Sequence, residues 1–226
     1  MRGARIASVL FAALLAGCAS TPDTSWQSLV DAGRWRSVGA STLDARWQVR
    51  DGELALTAAG GGDIISVDTY GDFELELEWR LPAGGNSGLF YRAVDASPIW
   101  ARAVEYQLLD DREAEDRTIP SHRAGAVYDL VAPARDVLRP IDAYNQARIV
   151  ACGSRVEHWL NGVLVAAYDT DSDDWRRRVA ASKFAGQAEF AKARRGHLGL
   201  QDHGNAVHIR GMRIRALPAD CRPASL

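Results

Sequence analysis

A glutamate and a glutamine face the same way on an otherwise apolar stretch of the chain. In the segment 104–111, apolar side chains alternate with Glu105 and Gln107, which is the two-residue period of a β-strand. Two polar side chains on one face of such a strand indicate a sheet surface that is turned toward a ligand. A carboxylate among apolar and aromatic neighbours can act as a general base, so Glu105 is the first candidate. The alternative is a solvated strand residue.

A histidine near the end of the chain is the second titratable candidate. His203 stands between Asp202 and Gly204, where a predicted strand ends, and loops at strand ends carry many functional residues. Because imidazole titrates near neutral pH, His203 could serve as a base or as an acid. A hydrogen-bonded structural histidine is the alternative.

The elements around these residues have the pattern of an all-β protein. Residues 73–80 alternate strictly between apolar and charged side chains, and Asp51-Gly52 and Asn161-Gly162 each separate two short alternating segments, as in β-hairpins. Many short strands predict a two-sheet antiparallel β-sandwich with one or two short helices. Further expectations concern single segments. They are a turn or loop at 84–88, a long polar loop at 112–123, a strand at 126–130, helices at 173–181 and 188–193, and a β-bulge at Gly211.

Length and composition limit the class of protein. The 226 residues fit one large domain, and 47% hydrophobic residues suffice for a core. With a net charge of −2, no bulk attraction to nucleic acid is expected.

The N-terminal residues resemble a bacterial lipoprotein signal. An apolar run at 6–15 is too short to span a bilayer and ends in Leu15-Ala16-Gly17-Cys18. We therefore expect a signal peptide at 1–18, lipidation of Cys18, a tether at 19–25, the sandwich at 26–217 and a tail at 218–226. Acyl chains would anchor the protein in the bacterial envelope, and Ala19 favours the outer membrane, facing the periplasm. The alternative is a plain cleaved signal.

The other two cysteines leave two possibilities open. Cys152 and Cys221 each follow a predicted strand and could form a disulfide in an oxidising compartment, or both could be free thiols. Neither has a Cys or His neighbour at a spacing typical of zinc sites.

Several motifs, in this order, resemble the 3-keto-disaccharide hydrolase domain family over residues 26–217. They are the hairpin at 47–54, Asp72-Phe73, Gly85-Asn86-Ser87-Gly88 with Arg92, 105–110, 125–130, Asn145, 157–162, Ser182-Lys183 and 199–204. The resemblance implies a concanavalin-like jelly roll with a concave sugar-binding face. Gly211 departs from the asparagine usual in the family, at the edge of the closing strand.

The resemblance also implies a particular chemistry. The substrates would be disaccharides or glycosides already oxidised to a ketone at C3, so that loss of the C2 proton gives an enolate, the C1 substituent is eliminated and water adds. This route needs a base, an acid and a group that stabilises the enolate. We assign Glu105 as the base, His203 as base or acid, and Lys183 as the enolate stabiliser, with a simple surface lysine as the alternative for Lys183.

The remaining candidates would contact the sugar. They are Gln107, Asp110, Asp111, Gln201, Arg92, His158 and, on a loop that could close over the site, His122. His158 shares a strand face with Val156 and Leu160, which favours a core histidine.

Cofactors and partners are only loosely constrained. No cofactor is required by the sequence, and a divalent metal is possible because carboxylates and a histidine are present, although no spacing demands it. The expected partners are an oxidised carbohydrate, the membrane through the lipid anchor, and an upstream sugar 3-dehydrogenase. Two other functions stay open: a non-catalytic carbohydrate-binding module of the same shape, and an ordinary two-carboxylate glycosidase acting on unoxidised sugars.

Overall fold

The computed structural model describes residues 24–222, which contain one α-helix and thirteen strands. The strands are β1 Gln27–Ser28, β2 Trp35–Ser37, β3 Trp47–Arg50, β4 Glu53–Leu56, β5 Ile64–Ser66, β6 Phe73–Arg80, β7 Asn86–Ala93, β8 Val104–Leu109, β9 Asn145–Cys152, β10 Arg155–Leu160, β11 Val163–Asp169, β12 His197–Leu200 and β13 Val207–Ala216. The helix α1 spans Asp173–Ala180, and short 3-10 turns occupy Ala32–Arg34, Ile99–Ala101, Glu115–Thr118 and Pro120–His122.

Two antiparallel sheets pack face to face, which confirms the predicted β-sandwich. One sheet has eight strands in the order β11-β10-β9-β6-β13-β4-β3, with β1 added beside β13. The other has five strands in the order β2-β5-β12-β7-β8. The five-stranded sheet therefore brings the end of β12 next to β7, one strand away from β8, although β12 is about a hundred residues from both in the chain.

Alternation along β6 explains how the core forms. Phe73, Leu75, Leu77 and Trp79 are at most 2% exposed and point between the sheets. Their glutamate neighbours point outward, where each pairs with an arginine: Glu74 with Arg148 and Arg215, Glu76 with Arg213, and Glu78 with Arg210.

Both predicted hairpin turns are present. Asp51, Gly52, Asn161 and Gly162 all have φ between 49° and 80°, as a two-residue turn of the I′ kind requires. The bulge at Gly211 is confirmed too, because the pairing of β13 with β6 shifts between Arg210 and Arg213.

The predicted helix near residue 173 is confirmed, and its first turn is capped by the Ser172 hydroxyl, which accepts from the Trp175 N–H. The helix predicted at 188–193 is absent and this segment forms turns.

Two predictions for the five-stranded sheet were wrong. Residues 86–88 do not form a turn but begin β7, because Asn86 and Ser87 pair with Leu109 and Leu108. Residues 126–130 do not form a strand: Val127 makes isolated bridges to Tyr106 and Val131 only.

A disulfide joins Cys152 to Cys221, which decides between the two possibilities for these cysteines. The proposed signal peptide and Cys18 lie outside the described residues. Within the described range, no helix is long and apolar enough to cross a membrane.

Candidate active site

The outer face of the five-stranded sheet carries a row of polar groups across three strands. Gln107 on β8 is the pairing partner of Gly88 on β7, and the N–H of Gln201, just after β12, donates to the Gly88 carbonyl at 2.9 Å. Val104, Tyr106 and Leu108 face the sandwich core instead. The alternation in β8 thus presents Glu105 and Gln107 on the outer face, as the sequence predicted.

Glu105 lies over Gly88. A Cβ atom on Gly88 would stand 2.2 Å from Glu105 Oε1, so only glycine leaves room for the carboxylate at this position. Glu105 is 5% exposed, and among residues 24–222 its carboxylate has no hydrogen-bond partner. A buried carboxylate without a partner is costly, which is a reason to place it in a binding site.

Burial raises the pKa of Glu105 to about 8. The positive charge of Lys183 opposes this rise, while the negative charges of Asp63 and Asp116 add to it. A carboxylate with this proton affinity is a much stronger base than an exposed glutamate and is well matched to proton transfer near neutral pH.

Amide groups beside Glu105 have free acceptors. Gln107 is fully buried and donates from Nε2 to Asn86 Oδ1 at 3.0 Å, while its Oε1 has no partner among the described residues. Gln201 Oε1 is likewise buried without a partner in that range. Such acceptors are expected to bind ligand hydroxyls, because buried polar atoms are normally satisfied.

A cleft of about 490 Å³ opens beside this row. Its lining residues are Gly84, Asn86, Glu113, Ala114, Glu115, Asp116, Tyr128, His203 and Asn205. Asn86 connects the cleft to Gln107, and the backbone N–H of Tyr128 donates to the carbonyl of Glu105 at 3.1 Å. His203 is exposed on the rim, where its charge lowers the pKa of Asp63 against the larger upward effect of burial.

The cleft wall contains a connected group of aromatic and charged side chains. His122 stacks on Tyr128 with ring centroids 4.2 Å apart, and its Nε2 lies 3.1 Å from Asp129 Oδ1. The Tyr128 hydroxyl donates to Asp116 Oδ2 at 3.3 Å, and Asp116 Oδ1 is 3.6 Å from His122 Nδ1. His122 is therefore part of the wall, behind Tyr128.

Lys183 lies against the same wall. Its backbone N–H donates to Asp129 Oδ2 at 2.8 Å, and its Nζ is 4.1 Å from the Tyr128 ring centroid. Trp100 and Phe184 complete an aromatic surround at 5.1 and 5.2 Å on one side of the amine, while Lys183 as a whole residue is exposed. Burial lowers the pKa of Lys183, against the opposing effect of Glu105, Asp129 and Asp116.

The structure contradicts the prediction that His158 contacts the sugar. His158 is fully buried between the sheets, where Nε2 lies 2.8 Å from the Tyr91 hydroxyl and Nδ1 lies 3.1 Å from the Gly125 carbonyl. Burial lowers its pKa to about 4, so it is neutral at pH 7. It is the core histidine that the alternative interpretation described.

Arg92 is also removed from the site. It lies at the other end of β7 from Asn86, and its side chain donates to the carbonyls of Gly71 and Gly153 and to Asp72. These contacts fix loops at the far end of the sandwich.

The two aspartates after β8 hold loops in place. Asp110 accepts the N–H groups of Gly84 and Arg112, and Asp111 accepts that of Ala124. Burial raises the pKa of Asp111 to about 6. Both shape the cleft wall through the backbone, and neither lines the cleft.

Sequence reasoning missed Tyr128, Asp116, Asp63 and Trp100 and interpreted Asn86 as a turn residue. Apart from Asn86, these residues lie in irregular or short segments, where no strand or helix periodicity in the sequence predicts which way a side chain points. The signal that pointed nearest to them was the unusual length of the polar loop at 112–123.

A second hollow, of about 410 Å³, lies between α1 and the segment 184–194. Its aromatic side chains Trp175, Phe184 and Phe190 are buried and stacked on one another. It contains none of the predicted site residues, so the chemistry is placed in the cleft beside Glu105.

Among the described residues, no group of three or more His, Cys, Asp or Glu side chains could hold a metal ion. The possibility of a divalent metal therefore stays a prediction.

An antiparallel sandwich with a buried, unpartnered carboxylate beside an open cleft has the features of a carbohydrate-active protein, and the comparisons agree. Residues 25–215 match the 3-keto-alpha-glucoside-1,2-lyase-like domain, and the chain belongs to this family.

The relatives are carbohydrate enzymes by description. A 3-keto-disaccharide hydrolase of Bacteroides thetaiotaomicron is 29% identical over 81% of this chain and 74% of its own length. A crystal structure of a proposed glycosyl hydrolase from Parabacteroides distasonis superposes with a TM-score of 0.78 at 26% identity, over 85% of this chain and 94% of its own. A second one from the same organism superposes with a TM-score of 0.70 at 25% identity, over 85% of this chain and 100% of its own. Homology thus supports a glycosidase-type hydrolase.

Proposed function

We propose that this protein cleaves 3-keto-disaccharides or related 3-keto-glycosides by elimination followed by hydration. The observation that carries the proposal is Glu105, a buried carboxylate with a raised pKa and no partner among the described residues, held over Gly88 on the sugar-facing sheet. The match to the 3-keto-alpha-glucoside-1,2-lyase-like domain and the 29% identical 3-keto-disaccharide hydrolase support this substrate class.

Proton abstraction is the first step. A ketone at C3 acidifies the C2 proton, and Glu105 removes it. The amine of Lys183, which lies against the ring of the cleft-lining Tyr128, is assigned to stabilise the negative charge that develops on the C3 oxygen.

Elimination and hydration complete the reaction. The C1–O bond breaks, and the leaving oxygen takes a proton from His203 on the rim. Water then adds to C1 of the unsaturated ketone and gives its second proton to His203, which restores the acid, and C2 regains its proton from Glu105. The net change is hydrolysis, without a second carboxylate at the spacing that ordinary glycosidases need.

Substrate orientation is assigned to the amide row. The free Oε1 atoms of Gln107 and Gln201 accept sugar hydroxyls, and Asn86 fixes Gln107 through their hydrogen bond. Asn205 and Asp116 face the other sugar unit in the cleft.

The cellular setting is part of the proposal. A 3-keto substrate has to be made by oxidation of a sugar hydroxyl, so a sugar 3-dehydrogenase would act before this enzyme. If Cys18 is lipidated, the reaction takes place at the bacterial cell envelope, and the disulfide of Cys152 is consistent with an oxidising compartment.

The test compares a 3-keto-disaccharide with its unoxidised parent as substrates for the purified protein. We expect release of monosaccharide from the 3-keto sugar only, and loss of turnover in Glu105→Gln by at least about 10²-fold. Glu76→Gln is the matched control, because Glu76 is a strand glutamate on the outer face of the other sheet.

Two results would contradict the proposal. Binding of sugar without turnover would indicate a carbohydrate-binding module, and hydrolysis of the unoxidised sugar at a comparable rate would indicate an ordinary glycosidase.

A further inference from the structure

Lysine is rare in this chain. Of its 27 basic residues only Lys183 and Lys192 are lysines, and the other 25 (27 − 2) are arginines. Where a positive charge alone is needed, the chain uses arginine. A lysine on the cleft wall therefore raises the question of which property arginine lacks there, and the answer is that an ammonium can lose its proton and become a nucleophile whereas a guanidinium cannot.

The surroundings of the Lys183 amine differ from those of a surface ion pair. Three carboxylates, Glu105, Asp116 and Asp129, act on it electrostatically. Within residues 24–222 its Nζ nevertheless makes no salt bridge or hydrogen bond and lies against the rings of Tyr128, Trp100 and Phe184. Asp129 binds the backbone N–H of Lys183 instead, which fixes the residue and leaves its amine free.

We propose that Lys183 is a covalent catalyst that forms an iminium with the C3 ketone of the substrate. This inference rests on the proposed function, which supplies the ketone. The aromatic surround suits it, because rings that stabilise an ammonium also stabilise an iminium cation. Burial lowers the pKa of Lys183, against the opposing effect of the three carboxylates, and thereby favours the nucleophilic amine.

The steps balance without any further reagent. The amine adds to C3, and water leaves to give the iminium. Glu105 takes the C2 proton, and the electrons of the C2–H bond form an enamine with the nitrogen. The enamine expels the C1 oxygen, which takes a proton from His203. Water adds to C1 and gives its second proton back to His203. C2 is reprotonated by Glu105, and a second water hydrolyses the iminium to release the 3-keto sugar and the lysine.

Trapping with cyanoborohydride tests the proposal directly. Lys192→Arg leaves one lysine in the protein, since Lys192 is exposed beside the second hollow. We incubate this variant with a 3-keto-disaccharide and cyanoborohydride and measure intact mass and peptide masses. We expect a reduced sugar adduct on Lys183, no adduct with the unoxidised parent sugar, and loss of activity in proportion to the adduct.

A charge-conserving substitution provides the second measurement. Lys183→Arg keeps the positive charge but cannot form an iminium, so kcat should fall by at least about 10²-fold, the lower bound usual for a group that assists proton transfer. Lys183→Met should lose a similar factor.

The outcomes separate the two proposals. Turnover of the 3-keto sugar with Lys183 unmodified by cyanoborohydride, or Lys183→Arg within about threefold of the unchanged protein, would overturn the iminium and leave the elimination route with a cationic Lys183. Failure of the unchanged protein to turn over 3-keto sugars would overturn the proposed function, and with it the iminium.

Discussion

At the scale of single residues, Glu105 shows a conflict between stability and function. Its pKa is raised from the ordinary value of 4.5 to about 8, so the folded protein holds this proton more tightly than the unfolded chain does. The stability that it contributes is complete below pH 4.5 and is lost as the pH rises to about 8. Activity has the opposite pH dependence and rises with pH over this range, because Glu105 must be ionised to act as a base.

The pH profile should therefore depend on the charges that surround Glu105. The negative charge of Asp116 adds to the rise in its pKa, so Asp116→Asn should move the acid limb of kcat/KM to lower pH. Glu115→Gln is the control, since it removes a carboxylate from the same segment that does not affect the pKa of Glu105. The measurement is kcat/KM of both variants from pH 5 to 9, and only Asp116→Asn should shift the acid limb. An acid limb that stays in place in Asp116→Asn, or moves upward, would contradict the assignment of Glu105 as the base.

The residues that were predictable are those on regular strands. Alternation along 104–109 was enough to put Glu105 and Gln107 on the outer face, and the same reasoning identified His158 as facing the core. Asp116 and Tyr128 were not predictable, because their positions depend on how residues 110–131 fold back on β8, and that path is fixed by tertiary hydrogen bonds such as that from Gly125 N–H to the Gln107 carbonyl.

At the scale of elements, the pairing of β7 with the neighbouring strand β8 puts a glycine where the base needs space. Gly88 lies in a strand where any other side chain would occupy the volume of the Glu105 carboxylate. The sequence 84–88 has the composition of a turn and predicts a turn or loop. In the folded protein residues 86–88 are strand, because their pairing with residues 107–109 of β8 outweighs the local preference of Asn and Gly.

Gly88→Ala tests this packing without removing any functional group. The added methyl should displace the Glu105 carboxylate and lower kcat by at least about 10²-fold, because misplacing a catalytic group by about 1 Å can cost this factor in rate. Gly186→Ala is the control, since a Cβ there meets no atom within 4 Å. Both variants should show unchanged far-UV circular dichroism, and full activity of Gly88→Ala would disprove the close approach.

At the scale of the whole molecule, the disulfide closes a large loop. Cys152 and Cys221 are 69 residues apart, and a cross-link over such a loop contributes about 4 kcal/mol in the chain-entropy description. Cys221→Ser should lower the free energy of unfolding by up to that amount in a urea titration.

Activity of Cys221→Ser at 25 °C should be retained, because Cys152 ends β9 in the sheet opposite the cleft. Loss of turnover in a folded Cys221→Ser variant would contradict this expectation, because it would show that the disulfide influences the cleft across the sandwich. Cys152→Ser should behave in the same way.

The sandwich could be predicted because hairpin turns and strand alternation are local signals. The order of the strands could not, since β12 sits between β5 and β7 through contacts that join segments more than a hundred residues apart. Only this non-local pairing brings Gln201 to Gly88, under the Glu105 carboxylate, and His203 to the rim of the cleft.

The position of Trp26 has a practical consequence. Its ring packs on Arg213 and Arg215 on the outer face of the eight-stranded sheet, whereas the cleft opens on the outer face of the five-stranded sheet. A bead, tag or bilayer attached through the preceding residues would therefore contact the back of the molecule. The cleft would point away from that support, toward whatever polymer or soluble glycoside approaches from the surrounding fluid.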